Sequence, residues 1–422
     1  MALDKAHPEW AKFLVVSVLL GLAVWSVPRA IQAGDAGEFA TVMLTGGVPH
    51  PSGYPWMRFL GVFARSLAAL GLPPATAAAL PAALCGVAAW ILADRSIRAQ
   101  TNATWLAAWL VVLVAAAPLV IIHINDSEVW GPHLLFTALF IHIVLLTRAR
   151  PHAFRLGIML GLGLSHHLTA ALLIPLAIGA AIPASRTPGE TTMQSCMPWC
   201  LALVRNGALG VAGALIGLAP LLTLTIGRGG GWRWGDTGSA AGLVHHITRG
   251  DYGTFSLSLH QEQVAVADTI SRALASVGEV FAAGLVSSAY VGAAVLVGAI
   301  AGLVILAPRI GRSVAIGWGL SIAASAILFP AMQNIDPSGP FGAWILERFD
   351  LLTVMLVLVP IAAALDRLGR LGLALAERAL PRPALLTIGA RALAGLLVFA
   401  QIGAVLERGR PATEAAVELA AI

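Results

Sequence analysis

Long runs without charge recur along this chain, and they leave few folds open to it. Apolar stretches of spanning length lie near 12–30, 73–93, 102–122, 128–147, 154–165, 167–184, 204–226, 285–307, 313–331, 349–366 and 384–405. A bilayer core takes about 20 apolar residues of helix and offers backbone groups no water to bond. The runs therefore predict an all-α integral membrane protein with about eleven transmembrane helices. Composition agrees: 58% of the residues are hydrophobic and 11% are charged, against about a quarter charged in a soluble domain. Residues 1–406 read as one transmembrane domain and 407–422 as a short C-terminal tail. The run 154–165 is short, and Ser165-His166-His167 interrupts it, which predicts a broken or re-entrant helix. Segment 56–71 carries Arg58 and Arg65 and reads as an amphipathic helix along the interface.

The basic residues give an orientation. Lys5 and Lys12 precede or open the first run, Arg95 and Arg98 follow the second, and Arg148, Arg150 and Arg155 separate the fourth from the fifth. With Arg309, Arg312, Arg367 and Arg370 they fall on one side if the spans alternate, and that side is cytoplasmic. The expected topology is a multipass protein of the inner membrane with a cytoplasmic N-terminus. Segments 31–72, 123–127, 227–284 and 332–348 then face outward. The first run has the basic start of a signal peptide, but its apolar core is long, and we read it as a retained helix. Cys85, Cys196 and Cys200 form no disulfide framework. The net charge of +5 restates the cytoplasmic bias and does not argue for nucleic acid. With no phosphate-binding glycine loop, the energy source is an activated substrate, an ion gradient or nothing.

Polar residues away from the basic loops fall into five groups, all expected on the outer face. These are Asp35, Glu38, His50, Tyr54 and Arg58; His123, Asn125, Asp126 and Glu128; and Ser165, His166, His167 and Thr169. A fourth group includes Trp232, Trp234, Asp236, His245, His246, Arg249, Asp251 and Tyr252, and the fifth is Asn334, Asp336, Glu347 and Arg348. Each has a plain alternative. Asp35 suits the cap of a helix beginning at Ala36. His50 to Pro55 suits a turn. Asp126 and Glu128 suit a helix N-terminus. Trp232 and Trp234 suit an interfacial belt. The pair His166-His167 points about 100° apart on a helix, which disfavours joint ligation of one ion. All five groups on one face nevertheless describe a polar site at the outer mouth of a helical bundle. Charge near hydrocarbon is costly and marks function.

The order Asp35-Ala36-Gly37-Glu38, His50-Pro51-Ser52-Gly53-Tyr54-Pro55, Ser127-Glu128-Val129, Gly163-Leu164-Ser165-His166-His167-Leu168-Thr169, Trp234-Gly235-Asp236 and Glu347-Arg348-Phe349 resembles a multipass family long filed as a domain of unknown function. That family includes the animal protein O-mannosyltransferase of the endoplasmic reticulum. The likeness covers about Asp35 to Phe349, within a motif-bearing part 31–349. It implies a GT-C-like bundle and a glycosyltransferase that takes a mannose-like sugar from a polyprenyl-phosphate carrier on the outer face. The first outer loop of such enzymes supplies the catalytic carboxylate.

On this reading Asp35 is the base for the acceptor hydroxyl, with Glu38 its alternative or its orienting partner. Arg348 meets the leaving phosphate through two N–H groups, assisted by His166, His167 and Arg249. Asp126 or Glu128 supports an oxocarbenium-like transition state. His50, Tyr54, Arg58, Trp234, Asp236 and Glu347 complete the expected substrate site. Single displacement implies inversion. The scheme requires no metal, and a divalent cation stays open. The expected partners are the lipid-linked sugar as co-substrate, membrane lipid and a protein or glycan hydroxyl. A surface-glycan or lipid ligase with the same donor chemistry is one alternative. A secondary transporter or flippase is another, disfavoured because the charges gather at one mouth and no related halves are evident.

Overall fold

Helix accounts for nearly all the regular structure, as it must where each segment has to satisfy its own backbone. The computed structural model describes residues 8–32, 34–101, 103–146, 152–183, 193–226, 231–253, 264–282 and 288–379, with 389, 395–396, 398–400 and 402–403. The first helices are α1 (Pro8–Ser26), α2 (Asp35–Thr45), α3 (Pro55–Ala69) and α4 (Pro74–Gln100). They are followed by α5 (Thr104–Ala115), α6 (Pro118–Ile124), α7 (Trp130–Leu146), α8 (Ala153–His166), α9 (Ile174–Ala181) and α10 (Met193–Gly217). After α11 (Ala240–Ile247) come α12 (Val266–Phe281), α13 (Ala289–Ile310), α14 (Arg312–Ala323), α15 (Phe329–Ala331) and α16 (Pro340–Ala379).

Among the described residues, five helices are long and apolar enough to cross a bilayer: Pro74–Gln100, Met197–Thr225, Ala289–Ile310, Arg312–Ala331 and Gly342–Arg378. The pair α5 and α6, bent by 69°, makes a sixth if it counts as one span. Ala11–Ser26, Trp130–Leu146 and Leu168–Ala181 are apolar but shorter. The expected count of about eleven is therefore not reached among the described residues. Hydropathy counts runs, whereas the backbone breaks some of them. Pro118 opens α6 after a two-residue gap, where a proline can start a helix but not continue one. His167, extended at φ −146° and ψ 130°, separates α8 from the 3-10 turn Leu168–Leu173, which is the interruption expected there. The run 384–405 and the tail 407–422 lie largely or wholly outside the described residues.

Close approach holds the helices together. Gly157 and Gly161 on α8 face Gly213 and Gly217 on α10, and a Cβ on Gly161 or Gly217 would collide with the carbonyl opposite. Four-residue spacing of glycine on both partners lets the two backbones touch, a contact that packing makes favourable in lipid. The centre of the bundle is α16, where Leu351, Val354, Leu356, Val357 and Leu358 are fully buried. Trp318 of α14 donates its indole N–H to the Leu356 carbonyl at 2.9 Å. Arg272 of α12 pairs with Asp350 of α16 at 2.8 Å.

The amphipathic expectation for 56–71 matches α3. Met57, Gly61 and Ala64 are buried, while Val62 and Phe63 are 54% and 64% exposed. Its two arginines hold backbone carbonyls: Arg65 donates to Met43 at 2.6 Å, and Arg58 donates to Thr223 and Ile226.

Segment 231–253 is fastened to the turn between α2 and α3. The Val48 N–H donates to the Trp232 carbonyl at 2.9 Å, and the Trp234 N–H donates to the Val48 carbonyl at 3.0 Å, forming an isolated parallel bridge. Gly47 permits this approach, since a Cβ there would strike the Trp232 carbonyl. Val48, Leu221, Leu224 and Leu243 form a small apolar core beneath it. Ser239 caps α11 by accepting the Gly242 N–H at 3.0 Å.

Candidate active site

A cavity of about 820 Å³ opens where these elements meet. Each of the five polar groups contributes to its wall. Asp35, Glu38, His50 and Tyr54 come from the first, Glu128 from the second, His167 and Thr169 from the third, Trp234, Arg249 and Tyr252 from the fourth, and Arg348 from the fifth. The opposite wall is apolar, with Leu164, Leu168, Leu172, Leu328, Phe329 and Ile345 among its residues.

Arg348 is the hinge of the charged wall. It enters on α16, and its two terminal nitrogens reach two carboxylates: Nη2 lies 3.0 Å from Asp35 Oδ2, and Nη1 lies 3.0 Å from Glu128 Oε2. Glu128 is buried and also accepts the Trp130 indole N–H at 3.0 Å. The aromatic ring of Trp344 lies 5.4 Å from the guanidinium carbon. A buried guanidinium with two carboxylates and ring faces has its charge answered on each side.

Asp35 and Glu38 occupy the first turn of α2, where the helix end favours negative charge. The helix begins at Asp35 itself, after Gly34 at φ 70°, so the capping alternative for Asp35 is not the one adopted. The two carboxylates differ in freedom. Glu38 accepts the His50 backbone N–H at 2.6 Å and the His50 Nδ1–H at 2.8 Å, so both its oxygens are engaged. Its side chain is 18% exposed, whereas that of Asp35 is 37% exposed. The turn His50 to Pro55 is thus an ordered support for Glu38, held further by tilted and edge-on contacts among the rings of Phe39, His50 and Tyr54. Tyr54 sits at φ 40° before α3. Burial pushes its phenol above the usual range.

Segment 231–253 closes one side. The rings of Trp234 and Tyr252 stack with centroids 6.3 Å apart, and the Arg249 guanidinium carbon lies 4.7 Å from the Tyr252 ring. Trp234 donates to Asp251 at 3.2 Å, and His245 Nε2 lies 2.8 Å from the same carboxyl. The hydrogen bond from His245, followed by that from Trp234, holds the Asp251 carboxyl below its ordinary value.

Five of the expected residues stand away from the cavity wall. Arg58 braces α3 against the carbonyls of Thr223 and Ile226. Asp126 is buried and accepts the Ser127 N–H at 2.6 Å. His166 lies behind the wall, its Nε2 2.8 Å from the Val129 carbonyl. Asp236 is exposed and accepts from Gly238 and Ser239 at 2.9 Å each, and the Gly238 bond in particular lowers its carboxyl below the ordinary value. Glu347 pairs with His123 at 3.1 Å. Residues that sequence reasoning did not select are Trp130 and Gln333, both on the wall, and His133 just behind it; Thr169 and Tyr252, named only within the polar groups, are on the wall as well. Trp130 and His133 follow Glu128 within about one helical turn, a signal that spacing alone could have raised. Gln333 offers no such pattern.

Asp35, Glu38 and His50 each place one ligand atom within 4.8 Å of the others, the one such group among the described residues. Two carboxylates and an imidazole suit a divalent cation of borderline hardness. Binding there would require His50 Nδ1 to give up its bond to Glu38.

Comparison with known proteins bears on the same part of the chain. Residues 35–186 match the family described as the Protein O-mannosyl-transferase TMEM260 N-terminal domain. Over 249 residues the chain is 25% identical to "Protein O-mannosyl-transferase tmem260" of Dictyostelium discoideum, which covers 54% of this chain and 29% of that protein. The chain thus spans less than a third of the length of this curated relative. No solved structure matches. The segment carrying Asp35, Glu38, His50, Glu128 and His167 is therefore similar to the N-terminal domain of protein O-mannosyl-transferases of the TMEM260 type, the family its motifs resemble.

Proposed function

We propose that the chain is a GT-C glycosyltransferase that moves mannose, with inversion, from a polyprenyl-phosphate carrier to a hydroxyl of a protein acceptor. One observation carries the reading: a single cavity joins a wall of ionised groups to an apolar wall. A lipid phosphate is amphipathic in the same sense. Its isoprenoid chain lies against Leu168, Leu172 and Phe329 while its phosphate reaches Arg348.

The steps follow from the contacts. The acceptor hydroxyl attacks C1 of the sugar, and Asp35, the more accessible carboxylate, takes its proton. The bond from C1 to the phosphate oxygen breaks, and the electron pair leaves with the lipid phosphate. Arg348 meets that growing charge, and Arg249, also on the cavity wall, adds a second cation. Glu128 holds Arg348 in place during the exchange and offers negative charge beside an oxocarbenium-like sugar. Glu38 and His50 hold the first turn of α2, and so aim Asp35.

This division of labour separates the two carboxylates experimentally. Glu38→Gln turns one hydrogen-bonding oxygen into an N–H facing a donor, and loosens the His50 turn. Transfer from a synthetic polyprenyl-phosphate mannose should fall by roughly 3- to 10-fold, well short of the loss at Asp35. A Glu38→Gln protein as inactive as the Asp35 variant would give Glu38 the role of base.

The orientation is likewise a proposal, resting on the distribution of Lys and Arg. The site faces the outer compartment and the N-terminus the cytoplasm. Single cysteines placed beside Asp236 and Asp336, both exposed, should react with an impermeant maleimide added to intact cells. Labelling only after permeabilisation would reverse the topology.

A further inference from the structure

Three buried histidines cluster at the cavity: His167 on its wall, in the break after α8, and His133 on α7 and His166 at the end of α8 behind it. Their protonation is set by partners that have no choice. The Val129 carbonyl only accepts, so His166 carries its proton on Nε2. The Thr169 backbone N–H only donates, and it points at His167 Nδ1 from 3.3 Å. That nitrogen is therefore bare, and the His167 proton sits on Nε2. The Thr169 hydroxyl stands 2.7 Å from the same bare Nδ1 and must donate to it. Its lone pair then accepts from His133 Nε2 at 3.1 Å, which places the His133 proton on Nε2 as well. This assignment also accounts for Nδ1 of His133 and of His166, buried without a partner among the described residues. Both are bare acceptors, which interiors tolerate better than a stranded N–H.

We propose that Thr169 and His133 are positioning residues that lock His167 as an Nε2–H donor toward the cavity, where it holds the phosphate of the lipid carrier beside Arg348. The inference rests on the reading that an anionic lipid phosphate occupies this cavity. His167 lines the cavity, and its ring is confined by Trp130, His133 and Tyr54 with centroids 4.9, 5.0 and 5.8 Å away. With Nδ1 occupied from behind, Nε2–H is the group left to a ligand. A neutral donor suits this place, because it adds a hydrogen bond to the anion without setting a third cation against Arg348 and Arg249. His133 is not on the wall and acts only through Thr169.

Selective ¹⁵N-histidine NMR of the full chain in nanodiscs, with His167→Gln to assign the signal, reads the tautomer directly. The expected result is an unprotonated Nδ1 and a protonated Nε2 at His167, with the Nε2 signal moving when polyprenyl phosphate is added. Thr169→Val keeps the backbone N–H but removes the hydroxyl. It leaves His167 Nδ1 to the longer backbone bond alone, so the ring should lose its fixed orientation and polyprenyl-phosphate binding should weaken about tenfold, raising KM for the lipid-linked sugar more than it lowers kcat. Thr169→Ser should restore both. His133→Phe should shift the signal and the affinity in the same direction. A proton found on His167 Nδ1 would overturn the assignment, as would wild-type affinity in Thr169→Val. Polyprenyl phosphate that binds without disturbing His167 would overturn the inference and leave the carrier reading intact. Failure of the wild-type protein to bind polyprenyl phosphate, with the tautomer as assigned, would remove the carrier reading and this inference with it.

Discussion

Asp35→Asn should leave a protein that inserts and binds the lipid-linked sugar but transfers it at least ~100-fold more slowly, the contribution of a general base. The substitution keeps the shape of the side chain and an oxygen for the bond to Arg348 Nη2. It removes only the basicity. Asp35 is the carboxylate with room to receive a proton, since Glu38 has both oxygens taken by His50. Glu128 has both of its oxygens in contact with Arg348 Nη1 and is buried. Single-turnover transfer from polyprenyl-phosphate mannose, measured beside equilibrium donor binding, separates the chemical step from affinity. Near-normal turnover in Asp35→Asn would move the base elsewhere, with Glu38 next in line.

Arg348→Ala should be worse, and in two ways at once. It removes the cation proposed to meet the phosphate, and it leaves Glu128 buried with no counter-charge. Breaking a buried pair costs about 3–5 kcal/mol. Most of that belongs to the Glu128 side, because the Asp35 carboxyl is more than a third exposed and screened. Thermal unfolding in detergent should show the loss of stability, and donor binding should vanish. Arg348→Met combined with Glu128→Leu refills the space without charge, so stability should return while transfer stays absent. Arg348→Ala protein that binds donor normally would exclude the phosphate role.

The sequence made the charged wall legible because charge is scarce in this chain and expensive near hydrocarbon. Asp35, His50, Glu128, His167, Trp234, Arg249 and Arg348 stand out for that reason, and they line one cavity. What scarcity cannot do is distinguish a charge that faces a ligand from one that faces the protein. Arg58, Asp126 and Glu347 are as conspicuous as Arg348 in sequence, yet they hold carbonyls, a neighbouring N–H or a histidine. The apolar wall was silent for the opposite reason: Leu168 and Phe329 look like any residue of a membrane helix until the cavity beside them is known. The count of about eleven spans is not confirmed: several apolar helices fall short of spanning length among the described residues. Hydropathy sums side chains, and it does not register that Pro118 turns one run into two pieces.

The charge triad also has a bearing on how the protein is made. Asp35 and Glu128 leave the ribosome long before their shared cation, for Arg348 lies 313 residues after Asp35 and 220 after Glu128. Until α16 is inserted, two carboxylates wait at the membrane with nothing to neutralise them. The arrival of Arg348 is therefore a completion signal. A chain that stalls or misplaces α16 keeps an uncompensated pair of negative charges, whereas in a finished chain both carboxylates are paired with Arg348. Correct assembly and competence for transfer are certified by the same three side chains.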